Sequence, residues 1–402
     1  MRRCETDKPL RRTFFVVALI AAVAAMFHPF AAVAVERQKT LDRVWTPRAG
    51  QSLEFENLVG RLAVAPSSGG DLRIVVTVHA RAASEAEAEH LAGLVTLRVE
   101  EVGDRLKVHA DYPLERFDVY HYPASERAED DLSTWLAWLG VDRNEVRYQG
   151  DRVSVVSSES HRSVTLWADA RLEIPRELGF KARNLVGTIE SRDVAADQAF
   201  DASSADVDVR AGRGALVIST GSGDIQVEHQ TGEVSAETGS GDVVISDQQG
   251  SAAMNTGSGD VSISRATGET FFAKTGSGDV RLDELRGSVE ADTGSGDVNG
   301  SDLVLGRRVK ADTGSGNVRL SGDFSQVDTA VLETGSGDVT LRLAAVPSAR
   351  LVISTGSGDI RVDVPSLSVL RSRSSYFEGR IGGGSANLSI DTGSGDVAVT
   401  GP

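Results

Sequence analysis

The residues best placed to do chemistry are aspartates that return at nearly constant spacing. Asp224, Asp242, Asp260, Asp279, Asp297, Asp338 and Asp359 each close the pentapeptide Thr-Gly-Ser-Gly-Asp. A further copy begins at Thr392, and a variant at Thr313 ends in Asn317. If the copies lie one above another, the carboxylates form a column spaced at about 4.8 Å. Neighbours at that distance repel by about 0.9 kcal/mol in bulk water and several-fold more near a dielectric of 20. Something must offset this. A shared Ca²⁺ held by hard oxygen ligands is one answer. The other is local: each aspartate caps its turn by accepting backbone N–H groups, with Thr and Ser hydroxyls forming ladders beside it. The pentapeptide matches the Ca²⁺-binding repeat Gly-Gly-x-Gly-x-Asp-x-U-x only in part, because Asp directly follows the last Gly and one copy serves a whole repeat. Turn capping is therefore the adopted expectation, and a calcium column the alternative.

Other chemistry is sparse. Residues 111–150 gather Tyr112, Phe117, Tyr120, Tyr122, Trp135, Trp138 and Tyr148 among acidic residues. Tyr120, Tyr122, Trp135 and Trp138 are candidates for contact with a protein or glycan partner. The competing expectation, which we adopt, is that this insert packs its rings against its own module. His79, His90, His109, His121, His161 and His229 show no ligand spacing. The sequence holds no metalloprotease helix, P-loop, dinucleotide fingerprint or nucleophile elbow. Gly-Ser-Gly recurs in nine copies, which argues against a unique nucleophile. A non-enzymatic protein is expected. The alternative, a carbohydrate-active β-helix enzyme, has only fold-level analogy behind it.

The elements that position the aspartates follow from the repeat. Successive copies start 18, 18, 19, 18, 20, 21, 21 and 37 residues apart, a period that signals a repeat architecture. Two apolar positions follow each Asp (Val243 and Ile245, for example) and two precede each Thr (Val234 and Ala236). Spacing by two is strand periodicity. Each repeat thus holds two short strands, a Gly-Ser-Gly turn and a second turn often marked by Gly. Four buried side chains cannot offset the ordering of a whole repeat, so the copies must stack. The expected fold is an all-β parallel solenoid of 18–21 residues per coil. An antiparallel sandwich is the rival, and near-identical turns at one spacing fit it less well.

Residues 1–34 read as an export signal: a basic stretch through Arg12, an apolar run Phe14–Met26 and the small-x-small site Ala32-Val33-Ala34. Cleavage after Ala34 leaves no stable membrane span. Arg11-Arg12 is compatible with either the Sec or the twin-arginine route. Removing this leader takes away five basic and two acidic residues, so the net charge goes from −16 to −19. So acidic a chain is a poor match for nucleic acid or an anionic membrane. Cys4 precedes the apolar run, so it is not a lipobox cysteine, and the exported chain has no thiol. Residues 35–182 are expected to form a β-rich (α+β) N-terminal module with one short helix starting at Ser84, and residues 183–402 the solenoid. Leu58-Val59-Gly60-Arg61-Leu62 echoes Leu185-Val186-Gly187-Thr188-Ile189, so the module is expected to hold a coil-like element. The long final step, Ser366–Asn387, is expected to fold over the open sheet edge at the end of the stack.

The Thr-Gly-Ser-Gly-Asp-Val-x-Ile/Leu repeats, with Leu172-Glu173-Ile174-Pro175 leading to Asn184-Leu185-Val186-Gly187, resemble the bacterial "putative adhesin" family of exported β-solenoid proteins. The resemblance covers most of residues 50–402, apart from the aromatic insert. It implies a structural or adhesive role at the cell surface or in the periplasm, with an envelope protein or glycan as partner, and carries over no catalytic residue.

Overall fold

The computed structural model describes residues 34–123, 143–160 and 162–402. Among them are 29 strands, numbered β1–β29 in chain order, and one helix, α1 (Glu85–Leu94). Strands one coil apart pair in parallel and in register. β13 (Leu216–Thr220), β15 (Val234–Thr238) and β17 (Ala252–Thr256) set Thr220 beside Thr238 and Thr238 beside Thr256. Beyond the turn, β14 (Ile225–Glu228) and β16 (Val243–Ser246) set Ile225 beside Val243. Burial alternates along each strand, so equivalent apolar positions make one continuous spine. This is the expected parallel solenoid; the sandwich is excluded.

The second corner differs from expectation along part of the rod. In early coils it interrupts the sheet, with Asp247 at φ 54° and Gly250 at φ 135°. Single bridges Arg213–Thr231–Gln249–Thr267 hold it, and buried Gln230 and Gln248 donate to Gly214 O (2.7 Å) and Gly232 O (2.6 Å). Farther on, buried Ala266 and Leu285 stand at this inward position. There β18 (Val261–Thr275), β19 (Val280–Thr293) and β20 (Val298–Thr313) run unbroken round the corner, with register shifts. These long strands join the two ladders into one 29-stranded sheet.

The stack begins before residue 183. β2 (Ser52–Pro66) lies parallel to β10 (Phe180–Arg192), with Gly60 beside Gly187 and Leu62 beside Ile189. The echo between these segments is thus a true coil, and a boundary at residue 182 falls inside β10. The first half of β2 pairs with β5 (Arg105–Asp111), which pairs antiparallel with β4 (Thr96–Val102). Its second half pairs with β9 (Val164–Ile174), followed antiparallel by β3 (Leu72–Ala82) and β1 (Val35–Trp45). Ser84 caps α1, accepting the Glu87 N–H at 3.3 Å.

At the other end the chain order and the spatial order part company. β28 (Ala386–Thr392) inserts between β22 (Thr329–Thr334) and β24 (Ala349–Thr355). β29 (Val397–Thr400) likewise inserts between β23 (Val339–Ala345) and β25 (Ile360–Asp363). The long step holds a hairpin, β26 (Leu367–Arg373) and β27 (Tyr376–Ile381), and β27 lies antiparallel on β24. The excursion therefore does cover a terminal edge, but that of the coil last in space. The chain's final strand is interior.

Candidate functional site

The pentapeptide edge is the most regular feature of the molecule. Each Thr is buried at the corner and bridges two coils. Thr256 Oγ1 donates to Gly241 O (2.7 Å) and accepts from Gly259 N–H (3.2 Å). The same two bonds recur from Thr220 to Thr392. Both glycines are forced by close approach: a Cβ on Gly239 would lie 2.4 Å from Gly221 O, and one on Gly241 2.1 Å from Gly223 O. The serines at the turn tips, Ser222, Ser240 and Ser258, are exposed.

The aspartates form the expected column. Asp242 N–H donates to Asp224 Oδ1 (2.8 Å), Asp260 N–H to Asp242 (2.8 Å), Asp279 N–H to Asp260 (2.8 Å) and Asp297 N–H to Asp279 (2.9 Å). Asn317 continues it, accepting from Asp338 N–H (2.9 Å) and removing one charge. Asp338 is followed by Asp396, and only then by Asp359, each through a 2.8 Å bond. Sequence reasoning left two members out. Asp396 belongs to the Thr392 copy. Asp206, which accepts from Asp224 N–H at 3.0 Å, sits in the degenerate copy Ala202-Ser203-Ser204-Ala205-Asp206.

Arginines on the outer face offset the like charges. Arg281 donates to Asp260 Oδ2 (2.6 Å) and Asp279 Oδ2 (2.9 Å), and Arg319 to Asp297 Oδ2 (2.7 Å). Burial pushes the Asp260 carboxyl up, but Arg281 and the Asp279 amide outweigh it and hold it below its usual range. At Asp297 the same balance is struck by the Asn317 amide and Arg319. Each Asp with a further coil beyond it thus spends one oxygen on that coil's amide, not on its own turn as expected, and Asp359, last in the column, has Arg361 at 3.5 Å instead. Among the described residues no three His, Cys, Asp or Glu side chains gather in a group that could hold a metal.

The aromatic candidates need correction. Tyr120 and Tyr122 are fully buried, so they are not surface contacts for a partner. Tyr112 packs edge-on against Tyr120 (5.5 Å) and Tyr148 (5.9 Å) and donates to Val59 O (3.1 Å). Tyr148 donates to Glu56 O of β2 (3.3 Å) and Tyr122 lies 6.1 Å from the Trp167 ring, so the rings face the module's interior. Trp135 and Trp138 lie outside the described residues.

A second polar cluster escaped the sequence reading. His79 stacks on Trp167 (4.8 Å, 7° between planes). Its Nδ1 lies 3.1 Å from Glu36 Oε1 and its Nε2 3.3 Å from Asp169 Oδ2. Arg81 donates to Glu36 Oε2 (2.7 Å) and lies over the same Trp167 ring at 5.1 Å. Burial pushes the His79 pKa down, but the two carboxylates outweigh it and raise it. With both ring nitrogens facing carboxylates, neither is placed to activate a nucleophile. Glu36 comes from β1, His79 and Arg81 from β3, and Trp167 and Asp169 from β9, and no local spacing announces them.

Fold and edge together define a parallel β-solenoid whose repeated residues are spent on coil-to-coil bonds. The chain belongs to the Toastrack DUF4097 family, whose model matches residues 149–325 and 233–400. Two solved structures are similar to it at low sequence identity and low TM-score. One, described as a "putative cell adhesion protein" from Clostridium sporogenes ATCC 15579, is 10% identical with a TM-score of 0.16, covering 91% of this chain and 100% of its own. The other, a "putative adhesin" from Parabacteroides merdae ATCC 43184, is 11% identical with a TM-score of 0.21, covering 89% and 96%. Among curated proteins nothing matches.

Proposed function

We propose that this protein is a non-enzymatic rod of the bacterial envelope, exported by its leader, which presents the outer faces of its solenoid to an envelope or cell-surface protein or glycan. One observation carries the reading: the Thr, both glycines and the Asp of the pentapeptide each make a contact between coils, and only the serine tip is left over. A motif consumed by its own architecture supplies repetition and stiffness, not a reaction centre. The family membership and the leader-like first 34 residues support the same reading. No helix among the described residues is long and apolar enough to cross a membrane.

The test pairs binding with turnover. Purified protein is incubated with isolated cell wall and surface glycans, bound protein is measured, and soluble products are followed in the same samples. Saturable binding without product supports the rod. Product release that survives repurification would replace it with the carbohydrate-active alternative.

A further inference from the structure

One of the two ladders ends at both poles of the molecule in an antiparallel hairpin. Its outermost strand is β4 at one pole, paired only with β5, and β26 at the other, paired only with β27. Among the described residues the second edge of each strand has no partner. β26 is exposed on both faces, with Val369 57% and Leu370 52% accessible, and β4 exposes Val102 at 53%. Soluble proteins ordinarily blunt such edges.

The two edges are complementary in charge. β26 carries Arg371 and Arg373, and β4 carries Glu100 and Glu101 against one arginine, Arg98, which donates to Gln149 Oε1 (2.7 Å). Residues 366–385 hold three arginines and one glutamate, a local +2 on a chain of net −16. Arg371 now lies 3.8 Å from Glu378, and Glu101 pairs with exposed Arg48. Exposed pairs of this kind exchange at little cost.

We propose that the protein assembles head to tail, with β26 of one copy adding to β4 of a second copy and extending the same ladder. Strand direction permits it. β5 is parallel to the solenoid strands, so β4 runs against them; β26 is two antiparallel steps from β24, so it runs with them. Copies related by a shift along the rod therefore present β26 and β4 antiparallel. One register sets Arg371 opposite Glu101 as a charged cross-strand pair, with Leu370, the residue bulged out of the β26–β27 register, next to it near Val102. Ladder hydrogen bonds supply the affinity, as in strand addition generally. A head-to-tail contact that does not close yields open filaments. A β26–β26 dimer would offer its arginines no acid. This inference does not rest on an adhesive role, and its readout is mass alone.

The experiment is sedimentation velocity of the purified protein across a wide concentration range at low and high salt, with electron microscopy of the same samples. The mass should rise with concentration past a dimer and fall with salt. Arg371→Glu and Glu101→Arg should each weaken association by about tenfold or more. An equimolar mixture of the two variants should restore it, because each supplies the edge that suits the other. A single variant that failed to fold could not be rescued by mixing. A monomer at every concentration overturns the proposal. So does a plateau at dimer that Glu101→Arg leaves untouched, which would mean β26–β26 pairing, and so does a mixture that fails to recover.

Discussion

Thr256→Val removes one hydroxyl and keeps the side chain's shape. That hydroxyl donates to Gly241 O at 2.7 Å and accepts from Gly259 N–H at 3.2 Å, in a residue only 2% exposed. Each orphaned backbone group costs about 1–3 kcal/mol when water cannot replace the lost partner. Gly259 is half-buried, so water recovers part of its bond. The expected loss is about 2–3 kcal/mol. Ser258→Ala, two residues away at the exposed tip, should stay within about 0.5 kcal/mol. Urea unfolding followed by circular dichroism reads both as midpoint shifts at constant slope. If Thr256→Val moved the midpoint no more than Ser258→Ala, the corner hydroxyls would not be what ties coil to coil.

Gly241→Ala places a methyl 2.1 Å from Gly223 O and 2.5 Å from its carbon, and that backbone can yield only if the coils separate. It should destabilise by about 3 kcal/mol, while Gly69→Ala, with open space around it, should be silent in the same melt. Chelator should leave the melting midpoint unchanged, because every carboxylate of the column but the terminal Asp359 accepts the next coil's amide; a drop would revive calcium in the aspartate column. His79 has a raised folded pKa, so its contribution is complete below the ordinary histidine value near 6.5 and is lost as pH rises through the folded value. Amide exchange of β1, corrected for the intrinsic pH effect, should therefore quicken as pH rises through that folded value. His79→Phe should abolish that dependence, and an unchanged profile would mean that the Glu36 and Asp169 contacts do not hold the strand.

The repeat was legible because its constraints are local. A period of two marks which side chains face the spine, and the pentapeptide names residues that only a tight stacked corner requires: a bridging hydroxyl, two positions without Cβ and one acceptor. Parallel register followed from equal turns at equal spacing. Asp206 was missed because its copy keeps the aspartate but loses Thr and both glycines. The Glu36–His79–Asp169 cluster was missed because antiparallel register, not spacing, brings β1, β3 and β9 together. For Tyr120 and Tyr122 the sequence favours the core over the surface but does not name their neighbours, which only the surrounding strands supply.

The sequence by itself determined the coil: its length, its two apolar faces and the residues at its corner. Only the tertiary structure decided the order of the coils. Near-identical repeats present near-identical edges, so nothing in β28 distinguishes β22 from β24 as a neighbour, and it lies between both. The β26–β27 hairpin closes over β24, and the chain returns to fill the place behind it.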